Sequence, residues 1–145
     1  MDKKCLAKKM NHLAQVDVDA AIAYEQASQW VFDKNLNIFL KQFLKEHQQH
    51  IVVLKRLIKT YDKQVCHYCL DLKGSFFKLL LFYFRLKVVK GILRALQINE
   101  QRINHCYEKI LCCDLPTDIK KIVEKNYADE RRHLAYISQA INDKI

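Results

Sequence analysis

Residues 98–111 read INEQRINHCYEKIL, and residues 115–137 read LPTDIKKIVEKNYADERRHLAYI. In the first stretch, Glu100, Ile103 and Tyr107 recur at spacings of three and four, continuing from Leu96 and on to Leu111. In the second, Ile119, Ile122, Tyr127, Glu130, His133, Ile137 and Ile141 form a comparable stripe. This is the period of a helix with one inward face. Leu115-Pro116 separates the two stretches, and a proline suits the first turn of the helix that follows it. The pair therefore predicts an antiparallel helical hairpin, with one helix from about Ile92 to Cys113 and the next running on from Pro116. Glutamate, histidine and tyrosine lie on the stripe itself, where only apolar residues are expected.

The same pattern occurs earlier in the chain. At a fixed offset of 83 residues, Asp17 falls on Glu100, Tyr24-Glu25 on Tyr107-Glu108, Glu46-His47 on Asp129-Glu130, and His50 on His133. Apolar positions follow at the same offset: Leu13 on Leu96, Phe39 on Ile122, Leu40 on Val123, Leu54 on Ile137. Any two amphipathic helices share apolar matches, so the coincident acids, tyrosines and histidines carry the argument for an internal repeat. The first half then reads as a second hairpin. Its first helix runs from about Leu6 to Val31, with Leu13, Asp17, Ala21, Tyr24 and Ser28 inward. Its second runs from about Lys34 to Tyr61 and carries Leu36, Leu40, Phe43, His47, His50, Leu54 and Ile58, with Asp33 placed to cap it.

Composition agrees. The chain has 145 residues, half of them hydrophobic, but only 2 Gly and 1 Pro, too few for the tight turns of a β-rich fold. The fold class expected is all-α: one ferritin-like four-helix bundle over residues 1–145, made of hairpins 6–61 and 92–143. Residues 62–91 form the crossover. Within it, Gly74 and Gly91 bracket Phe76 to Lys90, read as an extra helix of about 24 Å, enough to return along much of the bundle. The longest apolar run, Leu79 to Phe84, is far short of the roughly 18 residues that span a bilayer. No cleavable leader is evident, so the chain is read as soluble and cytoplasmic.

Buried charge costs several kcal/mol unless it is paired or holds a metal. Glu130-x-x-His133 sets two donors on one helical face. Residues on adjacent antiparallel helices share a level when their midpoint falls in the connecting loop. Glu100 with Glu130 has its midpoint at 115, and Asp17 with His47 at 32, so both pairs pass. Glu25 and Glu108 fall about 12 Å further along the axis and about 80° around it, and are read as surface groups or as groups standing behind the ligands. Two explanations stay open for the inner acids and histidines: a metal centre, or a metal-free network of hydrogen-bonded side chains.

The segments DVDAAIAYEQA (17–27), FLKEHQQH (43–50) and the two stretches quoted first resemble the rubrerythrin and ferritin superfamily, and more closely a bacterial family of small ferritin-like proteins of unassigned function. The likeness covers roughly residues 6–143. It implies a dinuclear iron or manganese centre reacting with dioxygen or peroxide. Carried over residue by residue, the metal ligands would be Asp17, His47, His50, Glu100, Glu130 and His133, with Tyr24, Tyr107 and Glu46 supporting them from behind. The sequence departs from the superfamily pattern at Asp17, where Glu is usual, and at His47, where a bridging Glu is usual. Glu46 is an alternative inward group, at a spacing of four from His50.

Six cysteines without a leader are read as reduced thiols. Cys66, Cys69, Cys112 and Cys113 fall at one end of the bundle, where they could bind zinc or act as a redox pair. Cys5 and Cys106 are read as packing. The net charge of +9 admits nucleic acid or a membrane surface as partners, and a homo-oligomer is equally open. The competing function is thus a non-enzymatic bundle that acts by association with protein, nucleic acid or lipid.

Overall fold

The computed structural model describes residues 2–61 and 89–143. They form four helices: α1 (Lys3–Trp30), α2 (Lys34–Tyr61), α3 (Val89–Leu111) and α4 (Thr117–Asp143). No strand occurs among the described residues. The chain is an all-α bundle in which α1 pairs with α2 and α3 with α4. The hairpins meet mainly through α1 and α3, and less closely through α2 and α4. None of these helices is long and apolar enough to cross a membrane.

The turns are set by local chemistry. Asp33 caps α2, its Oδ1 accepting the Leu36 N–H at 3.0 Å. Asn37 reaches back and donates to the carbonyls of Ser28 (2.6 Å) and Val31 (2.8 Å), which the end of α1 would otherwise leave unpaired. Replacing Asn37 by alanine is expected to cost about 1–3 kcal/mol, read as a lower urea midpoint at unchanged slope. At the other hairpin, the Pro116 carbonyl accepts the Lys120 N–H at 2.8 Å. Pro116 therefore stands just before α4 rather than inside its first turn.

Three sequence expectations need correction. Helix α3 starts at Val89 rather than at Ile92, and runs through Gly91 without a break. Val89 packs on a core cluster with Ile92 and Leu93, which offsets the roughly 1 kcal/mol a glycine costs in a helix. Helix α3 also ends at Leu111, closed by a tighter bond from the Cys113 N–H to the Ile110 carbonyl. On α4, Val123 and Asn126 are buried where Ile122 and Tyr127 were expected, because the buried positions keep strict spacings of three and four. Residues 62–88, and with them most of the predicted crossover helix, Cys66 and Cys69, lie outside the described residues.

The core is layered. One apolar cluster holds Tyr24, Leu40, Phe43, Leu96 and Ile137. A second holds Leu13, Leu54, Ile103, Tyr107 and Val123. Between them, at mid-height, lies a polar layer of Asp17, His47, His50, Glu100, Glu130 and His133, all essentially without solvent exposure.

Candidate metal centre

Each helix places its polar residues on its own inner stripe. On α2 the buried positions are Leu36, Leu40, Phe43, His47, His50, Leu54 and Ile58, so the two histidines replace apolar residues without disturbing the period. On α4, Glu130 and His133 do the same. Asp17 from α1 and Glu100 from α3 complete the layer.

The internal repeat reappears as a pattern of hydrogen bonds. The Tyr24 hydroxyl donates to Glu100 Oε1 at 2.6 Å, and its counterpart Tyr107 donates to Asp17 Oδ2 at 2.7 Å. His133 donates through Nε2 to Glu46 at 2.6 Å, and its counterpart His50 donates through Nε2 to Asp129 at 3.1 Å. Arg132 joins the two outer acids, 2.9 Å from each. Glu46 therefore pairs with His133 across the bundle, not with His50 on its own helix. Helices α3 and α4 are tied at this level by Asn104, whose amide donates to the backbone carbonyls of Glu100 (2.8 Å) and Glu130 (3.0 Å).

His47 lies at the centre. Its Nδ1 is 2.9 Å from Asp17 Oδ1 and 3.4 Å from Glu130 Oε1, and its Nε2 is 3.4 Å from Glu100 Oε1. His50 Nδ1 is 3.2 Å from Asp17 Oδ1 and 2.9 Å from Glu130 Oε1. That last contact has ion-pair distance without hydrogen-bond direction, so Glu130 Oε1 has no hydrogen-bond donor.

Protonation follows from this packing. Burial pulls His50 down, but its contacts with the Asp17 and Glu130 carboxylates outweigh it and push the ring up to about 10. Burial likewise pulls His47 down, but Glu130, Asp17 and Glu100 overcome it and raise the ring well above the usual imidazole range. Glu100 is raised by burial and by the neighbouring Glu130 charge. Burial alone would raise Glu130 too, yet the charge of His47 and contacts with His133 and His50 hold it far below the usual carboxylate range. Burial also opposes the lowering of Glu46 and Asp129, which their hydrogen bonds to His133 and His50 and the contacts with Arg132 bring about. The two neighbouring buried acids are thus displaced in opposite directions, Glu100 up and Glu130 down.

Two groups of side chains have ligand atoms within 4.8 Å of one another: Asp17, His47, His50 and Glu130, and His47, Glu100, Glu130 and His133. The repeat exchanges the two sets, which share His47 and Glu130. Among the described residues, Glu100 Oε2, both oxygens of Glu130 and His133 Nδ1 are buried without a hydrogen-bond partner. With its Nε2 at Glu46, His133 turns Nδ1 toward Glu130 Oε2 (3.5 Å) and Glu100 Oε1 (3.7 Å). Buried carboxylate oxygens that converge on a ring nitrogen without a hydrogen bond are stabilised by a cation placed among them. Carboxylate and imidazole donors suit a divalent first-row metal, so the residues fit.

The structure thus brings all six inner residues to one depth and puts Tyr24, Tyr107 and Glu46 in contact with them. Glu25 and Glu108 are exposed. Cys112 is exposed, Cys113 is half-buried, and Cys5, expected to pack, is exposed; these and Cys106 are free thiols. The sequence reading passed over Asp129 as a partner of His50, although the 83-residue offset pairs it with Glu46. It also passed over Arg132, which follows Asp129 by one helical turn. Comparison with protein-family models, with curated proteins and with solved structures returned no match. What stands is a helical bundle with a buried acid–histidine cluster, compatible with ferritin-like folds and able to hold a metal ion.

Proposed function

We propose that this protein binds a divalent transition metal, iron or manganese, in its polar layer and is a ferritin-like oxidase or peroxide-consuming protein. The observation that carries the metal reading is the convergence of fully buried ligand atoms on Glu100, Glu130 and His133 that have no hydrogen-bond partner among the described residues. A purely structural network would be expected to satisfy its own buried groups. Glu100, Glu130, His133 and His47 would hold the ion. When bound, it would supply electrons to dioxygen or peroxide. The chain's own contribution is positional. Glu46 fixes the His133 tautomer so that Nδ1 faces inward, and Asp129 orients His50 in the matching way. Tyr24 holds one oxygen of Glu100 and leaves the other free.

Anaerobic titration of chelator-stripped protein with iron(II) or manganese(II) is the test. Stoichiometric binding is expected, together with a rise in Tm. At a free metal concentration of a hundred times Kd the gain is about 2.7 kcal/mol. An unchanged Tm with no bound metal leaves a different reading, in which the bundle acts by association. The feature favouring that reading is the apolar surface where α1 meets α2, with Phe32 of the turn 85% and Ile38 of α2 64% exposed.

A further inference from the structure

The two lobes of the polar layer are related by the internal repeat but are not equivalent. In the lobe of Asp17 and His50, the inward atoms of both residues are already used. Asp17 Oδ1 accepts from His47 and His50, and Oδ2 accepts from Tyr107. His50 spends its second nitrogen on Asp129. Among the described residues, Glu100 Oε2, Glu130 Oε2 and His133 Nδ1 are buried ligand atoms without a hydrogen-bond partner, and none belongs to Asp17 or His50; Glu130 Oε1 also lacks one, but lies 2.9 Å from His50 Nδ1.

Spacing separates the lobes a second time. The Asp17–His47, Asp17–His50 and His50–Glu130 contacts are 2.9, 3.2 and 2.9 Å, the lengths of hydrogen bonds and tight ion pairs. Across the other lobe, the His47–Glu100, His133–Glu130 and His133–Glu100 separations are 3.4, 3.5 and 3.7 Å. An ion with bonds of about 2.1 Å sets the edges of a ligand tetrahedron at about 3.4 Å.

We infer that the centre is built for one ion, held by Glu100, Glu130, His133 and His47, and that the Asp17–His50 lobe is a closed hydrogen-bonded brace rather than a second metal position. The inference rests on the metal reading and narrows it to a single four-donor site. An ion on the Asp17 side would have to break the bonds from His47, His50 and Tyr107. On the Glu100 side it gives up only the long contact of His47 with Glu100.

Cobalt(II), added to chelator-stripped full-length protein, is the probe, read by visible absorption and by metal content after desalting. One equivalent is expected, with the intense band of four-coordinate cobalt. Asp17→Asn and His50→Gln are expected to keep that band, and Glu100→Gln and His133→Gln to lose it. Circular dichroism confirms helicity for each variant, and the stoichiometry of the unaltered protein decides even where a variant fails to fold. Two equivalents of comparable affinity, or loss of the band in folded Asp17→Asn, overturn the single-site inference and leave the metal reading intact. No bound cobalt overturns both.

Discussion

Glu130→Gln is expected to be the most damaging conservative substitution in the chain. The side chain keeps its shape and loses only its charge, but that charge faces three imidazoles. His50 Nδ1 lies 2.9 Å away, His47 Nδ1 3.4 Å and His133 Nδ1 3.5 Å. With His47 and His50 both held in the protonated form, neutralising Glu130 leaves buried positive charge facing an amide that also carries donors. Breaking a buried ion pair on one side costs about 3–5 kcal/mol. For a chain of this length that is roughly 10–20 °C in Tm. Glu130 also belongs to both ligand groups, so metal binding should be lost as well. Differential scanning calorimetry with and without metal checks both effects. A variant that melts within about 2 °C of the unaltered protein would mean that the Glu130 charge contributes little to the core.

The second large effect is the pH dependence of the metal-free protein. His50 has a folded-state pKa of about 10 against an ordinary value of 6.5. Because it is raised, its contribution is complete below pH 6.5 and is lost as pH climbs toward 10. His47 and Glu100 are raised as well and act in the same direction. Glu46, Asp129 and Glu130 are lowered, so their contribution is present above the ordinary carboxylate values and fails as pH falls through them. Chelator-treated protein should therefore be most stable from about pH 5 to 6.5 and lose on the order of a few kcal/mol by pH 10. A bound metal reverses the alkaline side. Its ligands must be free of protons, so binding tightens and the stabilisation from metal grows as pH rises. Thermal melts across pH, with chelator and with excess metal, should diverge above about pH 6.5. Parallel curves would argue for a network that never exchanges its protons for an ion.

Most of this arrangement was legible in the residues, for a specific physical reason. A charged or imidazole side chain at a position fixed by the three-and-four spacing has nowhere to go but the core. All seven positions assigned to the inner stripe of α2 are buried. The internal offset was sometimes the better guide. It matched Val123 to buried Leu40, whereas a free reading of α4 chose Ile122. The pairing of the outer acids was less legible. Glu46 reaches His133, a residue 87 positions away on the opposite hairpin. Local spacing suggested His50, and nothing in a one-dimensional pattern ranks a contact across the seam between α2 and α4. The unequal closure of the two lobes was likewise beyond the sequence, because it depends on differences of a few tenths of an ångström between matched contacts.

The crossed tyrosines bear on how the halves come together. Tyr24 belongs to the first hairpin and serves the acid of the second, and Tyr107 does the reverse. A hairpin standing alone therefore has an acid lacking its hydroxyl and a hydroxyl lacking its acid, both on the surface meant to be dry. Sliding one hairpin past the other by a helical turn separates both pairs at once. Assembly is thus keyed in both directions, and the cheapest substitute for the missing half would be a second copy of the half already present.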